Sequence, residues 1–152
     1  MLIRTPTLDE LPALTALCRR SKGYWGYDEA FLDACRDELA LRPEDFDHDF
    51  ALAEVDGVLA GLALVETKGD EAELLSLFVD PSFIGKGVGA RLLRWGIDVA
   101  RAAGAARMMI QADPNAVPFY VAKGAVQVGE VPSGAMPGRS LPLMQLGLAQ
   151  EA

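Results

Sequence analysis

The stretch around which the rest of the chain orders itself is Asp80-Pro81-Ser82-Phe83-Ile84-Gly85-Lys86-Gly87-Val88-Gly89-Ala90-Arg91-Leu92-Leu93. A strand pattern, Glu71 to Asp80, runs into it and is closed by Pro81. Three alternating glycines follow, and then an Ala- and Leu-rich helix pattern from Gly87 to Ala103 with Gly104 as its stop. Alternating glycines let a backbone approach a ligand and take conformations closed to other residues. The first helical turn offers unpaired N–H groups and the positive end of the helix dipole. Together these make an anion site suited to a pyrophosphate. Lys86 and Arg91 stand close enough in sequence to add charge-assisted bonds, each contributing about 1.5–3 kcal/mol. A tight connection with no ligand is the competing reading of the same glycines. A dinucleotide-binding or Walker-type loop fits worse: the G-x-G-x-x-G spacing is absent, and so is a Gly-Lys-Ser/Thr ending.

Upstream, Leu2 to Arg4 reads as a short strand, and Thr7 with Glu10 has capping-box spacing before a helix whose apolar face is Leu11, Leu14, Leu17 and Cys18. Gly23 and Gly26 break that pattern and predict a loop over Ser21 to Tyr27. A second helix is predicted from Asp28 to Leu41, ending before Pro43. Phe50 to Val55 and Val58 to Glu66 read as a hairpin through Asp56-Gly57, where both turn residues need positive φ. Downstream come a strand at Arg107 to Gln111, a short helix at Ala116 to Lys123, and strands near Ala125 to Val131 and Leu141 to Gly147. The order β-α-α-β-β-β-α-β-α-β-β predicts a single α/β domain over 1–152 with one mixed, mostly antiparallel central sheet.

The 152 residues are half apolar, enough for one core without staples. The longest apolar run, Val58 to Val65, fits a buried strand and not a membrane span. Met1 to Glu10 carries no signal-peptide pattern, so a cytoplasmic, membrane-free protein is expected. Cys18 and Cys35 read as core thiols ahead of a redox pair. The net charge of −8 argues against nucleic acid and suits a cationic substrate or plain solubility. His48, the only histidine, stands among Asp45, Asp47 and Asp49 without enough ligands for a metal, and is expected at the surface.

At motif level, Glu73 to Leu93 resembles the acetyl-CoA-binding core of the GNAT acetyltransferases, whose signature Q/R-x-x-G-x-G/A follows a strand ending in Val-x-Pro. Val79-Asp80-Pro81 supplies the strand end, and Gly87 and Gly89 match the two small positions. Ile84 departs, standing where the family usually has Gln or Arg. A second block, Asn115-Ala116-Val117-Pro118-Phe119-Tyr120-Val121-Ala122-Lys123-Gly124-Ala125, resembles the family's N-x-x-A-x-x-F-Y-x-x-x-G-F segment in a tighter form with Ala directly after Asn, and with Ala125 in place of the last Phe. The resemblance implies helices on both faces of a sheet that splays to admit the pantetheine arm of acetyl-CoA. It implies a cosubstrate site of Leu77, Phe78, Val79, Ile84, Gly85, Lys86, Gly87, Val88, Gly89, Ala90, Asn115, Phe119 and Tyr120, and no metal.

The implied reaction is direct acetyl transfer from acetyl-CoA to a primary amine of a small molecule or peptide, by a monomer or homodimer. The alternative is a domain that binds acyl-CoA without turnover. The resemblance gives the backbone amides of Leu77 and Val79 to the thioester carbonyl and the Tyr120 hydroxyl to the leaving thiolate; packing beside Phe119 is the other reading of Tyr120. Asn115 either bonds the cofactor or caps the short helix. Glu73, roughly 13 Å along the strand from Leu77 at ~3.3 Å per residue, is the candidate base through a water, or else a solvated strand charge. On the acceptor side, Tyr24, Trp25 and Tyr27 form an aromatic wall or plug a loop. Arg139 is a candidate for an acceptor carboxylate.

Overall fold

The computed structural model describes residues 1–148; residues 149–152 of the expected domain lie outside the described residues. Seven strands form one sheet in the order β1-β2-β3-β4-β5-β7-β6. They are β1 (Leu2–Arg4), β2 (Asp49–Val55), β3 (Val58–Lys68), β4 (Glu71–Val79), β5 (Arg107–Gln111), β6 (Val126–Pro132) and β7 (Ser140–Gly147). Every pairing is antiparallel except β4 with β5. Asp56 and Gly57 both take positive φ, 52° and 78°, as the two-residue β2–β3 turn requires.

Alternation along β2 and β3 sends large side chains to one face and small ones to the other. Phe50, Leu52, Leu62 and Leu64 meet Leu11, Leu14, Leu17 and Cys18 of α1 (Leu11–Gly23). Ala53 and Ala63 meet Val88 and Leu92 of α4 (Val88–Ala102). The small face is what lets α4 lie close. A Cβ on Gly61 would stand 2.7 Å from the Phe78 carbonyl oxygen and 2.9 Å from Leu92 Cδ1. Leu93 and Ala100 of the same helix share a third cluster with Leu74, Met108, Met144 and Tyr120, so α4 spans both halves of the sheet.

Two predicted boundaries shift. Helix α1 continues through Gly23, where a loop from Ser21 was expected. Its last turn carries Arg20 and Lys22, favoured at the negative end of a helix and anchored to Asp80 and Asp113. The expected Asp28–Leu41 helix starts as predicted, Asp28 accepting from the Phe31 N–H at 2.8 Å. It is interrupted at Cys35 into α2 (Glu29–Ala34) and α3 (Arg36–Leu39). Leu41 leaves helical geometry to donate its N–H to Thr15 Oγ1 at 3.0 Å. Helix α5 (Val117–Ala122) follows a 3-10 turn at Pro114–Ala116. Cys18 and Cys35 are buried free thiols, and burial pushes Cys18 up to about 12. Among the described residues no helix is long and apolar enough to cross a membrane.

Candidate active site

The sheet opens beside β4. Only Glu71, Ala72 and Glu73 pair with β5, against Arg107, Met108 and Met109. From Leu74 on, β4 follows β3 while Ile110 and Gln111 follow β7. Leu75 is a bulge residue, since Leu74 faces Val65 and Ser76 faces Leu64. The Asp80 N–H donates to Ala60 O at 2.8 Å, toward β3. Strand alternation therefore turns the N–H groups of Val79 and Leu77 the other way, into the gap that β5 leaves.

The gap is a cavity of about 700 Å³ that continues over the start of α4. Its lining includes Leu77, Phe78, Val79, Ile84, Gly85, Gly87, Val88, Gly89, Ala90, Asn115, Phe119 and Tyr120. The chain reaches α4 through a 3-10 turn, Pro81–Phe83, capped by Asp80, whose Oδ1 accepts from the Ser82 N–H at 2.9 Å. Asp80 Oδ2 accepts from Arg20 at 2.7 Å, fixing the turn to α1. Burial alone would raise the Asp80 carboxyl; the bonds from Ser82 and Arg20 outweigh it and hold it below its ordinary value. Gly85 and Gly87 take φ of 81° and 80°, and Gly87 is the N-cap residue of α4. A Cβ on Gly89 would reach Val79 Cγ2 at 3.5 Å and Phe119 Cζ at 3.6 Å. It would narrow the slot between the strand end and α5. Open backbone N–H groups, no acid from 81 to 90, and a slot of apolar walls fit a long thioester ending in a pyrophosphate. Lys86 is not on the lining; its Nζ stands 5.5 Å over the Phe83 ring. Ile84 lies on the lining and is exposed.

Tyr120 is buried in the core shared with α4, its ring edge-on to Phe119 at 5.2 Å. It also lines the cavity. Burial, and secondarily the charge of Asp113, pushes its phenol well above the ordinary value. It is therefore a protonated hydroxyl in a dry wall. Glu73 lines the cavity at the last paired position of β4 and accepts a long bond from Gln111 Nε2 at 3.4 Å.

Asp113, which the sequence reading did not single out, ties three loops together. It accepts from the Asn115 N–H and Asn115 Nδ2 at 2.9 Å each, from the Tyr27 hydroxyl at 3.0 Å, and from the Lys22 ammonium. Arg139 Nη2 donates to the Tyr27 hydroxyl at 2.8 Å and stands 4.0 Å from Asp113. The Arg139 guanidinium lies over the Phe31 and Tyr27 rings at 4.9 and 5.3 Å. Burial would raise Asp113, but Lys22, Asn115 and Tyr27 together hold it below its ordinary value. Asn115 thus both lines the cavity and secures its own turn. Tyr27 and Arg139 are absent from the lining and form the wall behind it, whereas Tyr24 and Trp25 line it as an edge-on, solvent-exposed pair 5.2 Å apart. His48 is partly exposed, and among the described residues no cluster of His, Cys, Asp and Glu is arranged to hold a metal.

Known proteins share this fold. The chain matches the family described as "Acetyltransferase (GNAT) family" over residues 12–124. A GCN5-related N-acetyltransferase from Rhodopseudomonas palustris superposes with a TM-score of 0.82 at 21% identity, covering 96% of this chain and 94% of that one. The PaiA N-acetyltransferase of Thermoplasma acidophilum, in complex with coenzyme A, gives 0.76 at 19% identity over 96% and 98%. YncA, a putative acetyltransferase of Salmonella typhimurium with acetyl-CoA, gives 0.69 at 23% identity over 100% and 96%. No curated protein matches in sequence.

Proposed function

The chain belongs to the acetyltransferase (GNAT) family, and from that premise we propose that it moves an acetyl group from acetyl-coenzyme A directly to a primary amine of a small molecule or peptide. Acetyl-CoA supplies an activated acyl carbon on which a C–N bond replaces the C–S bond, one proton leaving the amine and one reaching the sulfur.

In this reading the turn over Gly85 to Ala90 binds the pyrophosphate through backbone N–H groups and the dipole of α4. The amides of Leu77 and Val79, turned into the gap, polarise the thioester carbonyl. The Tyr120 hydroxyl, kept protonated by its surroundings, hands its proton to the sulfur. Thiols and phenols ordinarily titrate near ~8.5 and ~10. The dry wall raises both, so the transfer is less uphill than the phenol's own shift suggests. Glu73 takes the proton of the incoming amine through a water. A lysine-like amine of pKa about 10.4 costs roughly 4–5 kcal/mol to neutralise at pH 7, whereas an α-amine near 7.8 costs about 1. The base therefore matters for the first kind of acceptor and little for the second.

The observation that carries the proposal is that one cavity brings together the glycine turn, the splayed strand and the Tyr120 side chain. Two buried free thiols agree with a reducing, cytoplasmic setting. The test is thiol release from acetyl-CoA with a panel of amines. Amine-dependent release with formation of the N-acetyl product is expected. Tight acetyl-CoA binding with no release over any amine would identify a binding module instead.

A further inference from the structure

Four charged residues line the cavity: three carboxylates, Glu38, Glu73 and Asp113, against one ammonium, Lys22. They are not equivalent. Asp113 and Lys22 neutralise each other, with side chains 12% and 15% exposed. Arg139, the other cation of this wall, is committed to the Tyr27 hydroxyl and to two ring faces. On the lining itself, among the described residues, no cation besides Lys22 stands to receive an acceptor carboxylate. Glu73 is assigned above, through a water, to the amine that attacks.

Glu38 is different. It lies on α3, held to the body by buried Leu39. It is exposed and makes no hydrogen bond or ion pair among the described residues. Its carboxylate rests against the backbone of the β6–β7 loop at Gly134, where any Cβ would collide with Glu38 Oε1. The exposed rings of Tyr24 and Trp25 line the same cavity, and aromatic faces attract cations. From this charge arrangement we infer that the acceptor carries a second cationic group besides the amine that attacks, and that Glu38 is the residue that selects it. The inference rests on the transfer reading above and names the acceptor class for it.

A carboxylate free to bond an ammonium favours the dication, and a net negative wall disfavours an anionic acceptor. The test compares 1,6-diaminohexane, hexylamine and 6-aminohexanoate, whose attacking amines are alike. The wild-type protein is expected to show kcat/KM at least about tenfold higher for the diamine than for hexylamine, with 6-aminohexanoate lowest. In Glu38→Gln the diamine-to-hexylamine ratio collapses to about the twofold of having two amines. In Glu38→Lys the order inverts toward 6-aminohexanoate. Ratios within one protein cancel any general loss of activity. Calorimetric binding of the same three compounds to the coenzyme A complex repeats the comparison without turnover. Equal wild-type ratios, or a ratio unmoved in Glu38→Gln, overturn the inference while leaving amine acetylation intact. Selective diamine binding with no transfer to any amine overturns the transfer reading and leaves the role of Glu38 standing.

Discussion

Tyr120 and Asp113 show how differently two residues of one site are written in a sequence. Tyr120 was legible because it stands in a spaced motif with Asn115 and Phe119. Asp113 precedes that motif as an ordinary loop acid, and only the fold brings Lys22, Tyr27 and Arg139, 86 or more residues away in two cases, to its side. Glu38 was silent too: the role inferred for it rests on its having no hydrogen-bond or ion-pair partner among the described residues, which no spacing records. If Tyr120 protonates the leaving sulfur, Tyr120→Phe lowers kcat by roughly 10²–10⁴-fold and leaves the acetyl-CoA Kd nearly unchanged. Single-turnover kinetics beside calorimetry checks both, and a wild-type kcat with chemistry rate-limiting would make Tyr120 a packing residue. For Asp113, neutralising one member of a largely buried charged cluster costs about 3 kcal/mol, or a Tm loss of about 6–12 °C in Asp113→Asn at neutral pH. The folded-state carboxyl lies below its unfolded value, so this contribution is complete above about pH 4 and fades as pH falls further. Thermal melts of both proteins from pH 7 downward should run parallel and then converge; a gap that stays constant into acid would remove the charge from the account.

At the level of elements, turn chemistry was the most legible feature and tertiary anchoring the least. Asp56-Gly57, Gly87 and Gly104 sit where positive φ is needed, and the elements they bound appear within two residues of expectation. The end of α1 and the end of α3 short of Leu41 were missed because both are decided by distant partners, Asp113 for Lys22 and Thr15 for Leu41. The splay of the sheet was legible only through the family resemblance. In the structure it is produced by the bulge at Leu75 and by a β4–β5 ladder of three rungs. The docking of α4 can be tested at Gly61, which the hairpin pattern reads merely as a small strand residue. Gly61→Ala pushes a methyl group into the Phe78 carbonyl oxygen and Leu92. Overpacking of this kind costs about 1–3 kcal/mol. Because Val88 and Leu92 start the helix that carries the glycine turn, coenzyme A affinity should fall along with Tm. A variant that melts lower yet binds coenzyme A unchanged would separate the packing of α4 from the set of its N-terminus.

For the whole molecule, the strong net negative charge coexists with a site meant for a polyanion, and the two are kept apart by position. The acids on the cavity lining are Glu38, Glu73 and Asp113, while residues 81–90 contain none. Coenzyme A should therefore bind despite the charge of −8 and stabilise the fold by mass action, by about 2.7 kcal/mol at a hundredfold excess over Kd. That corresponds to a rise in Tm of about 5–11 °C. An adenine dinucleotide lacks the thin arm that fits between the strand end and α5 and should shift Tm far less; equal shifts from both would move the phosphate site away from Gly85 to Gly89. The arrangement of the strands gives this ligand a mechanical office as well. Four strands lie on one side of the opening and three on the other, and among the described residues a ladder of three rungs is the only strand pairing between them. Helix α4 buttresses that seam from behind, but along the open length of β4 the sheet has no weft. A cosubstrate lodged there as proposed, taking backbone donors from one side and touching α5 on the other, would supply the missing thread, and the molecule would then be most completely woven when loaded and loosen along one known line each time the product leaves.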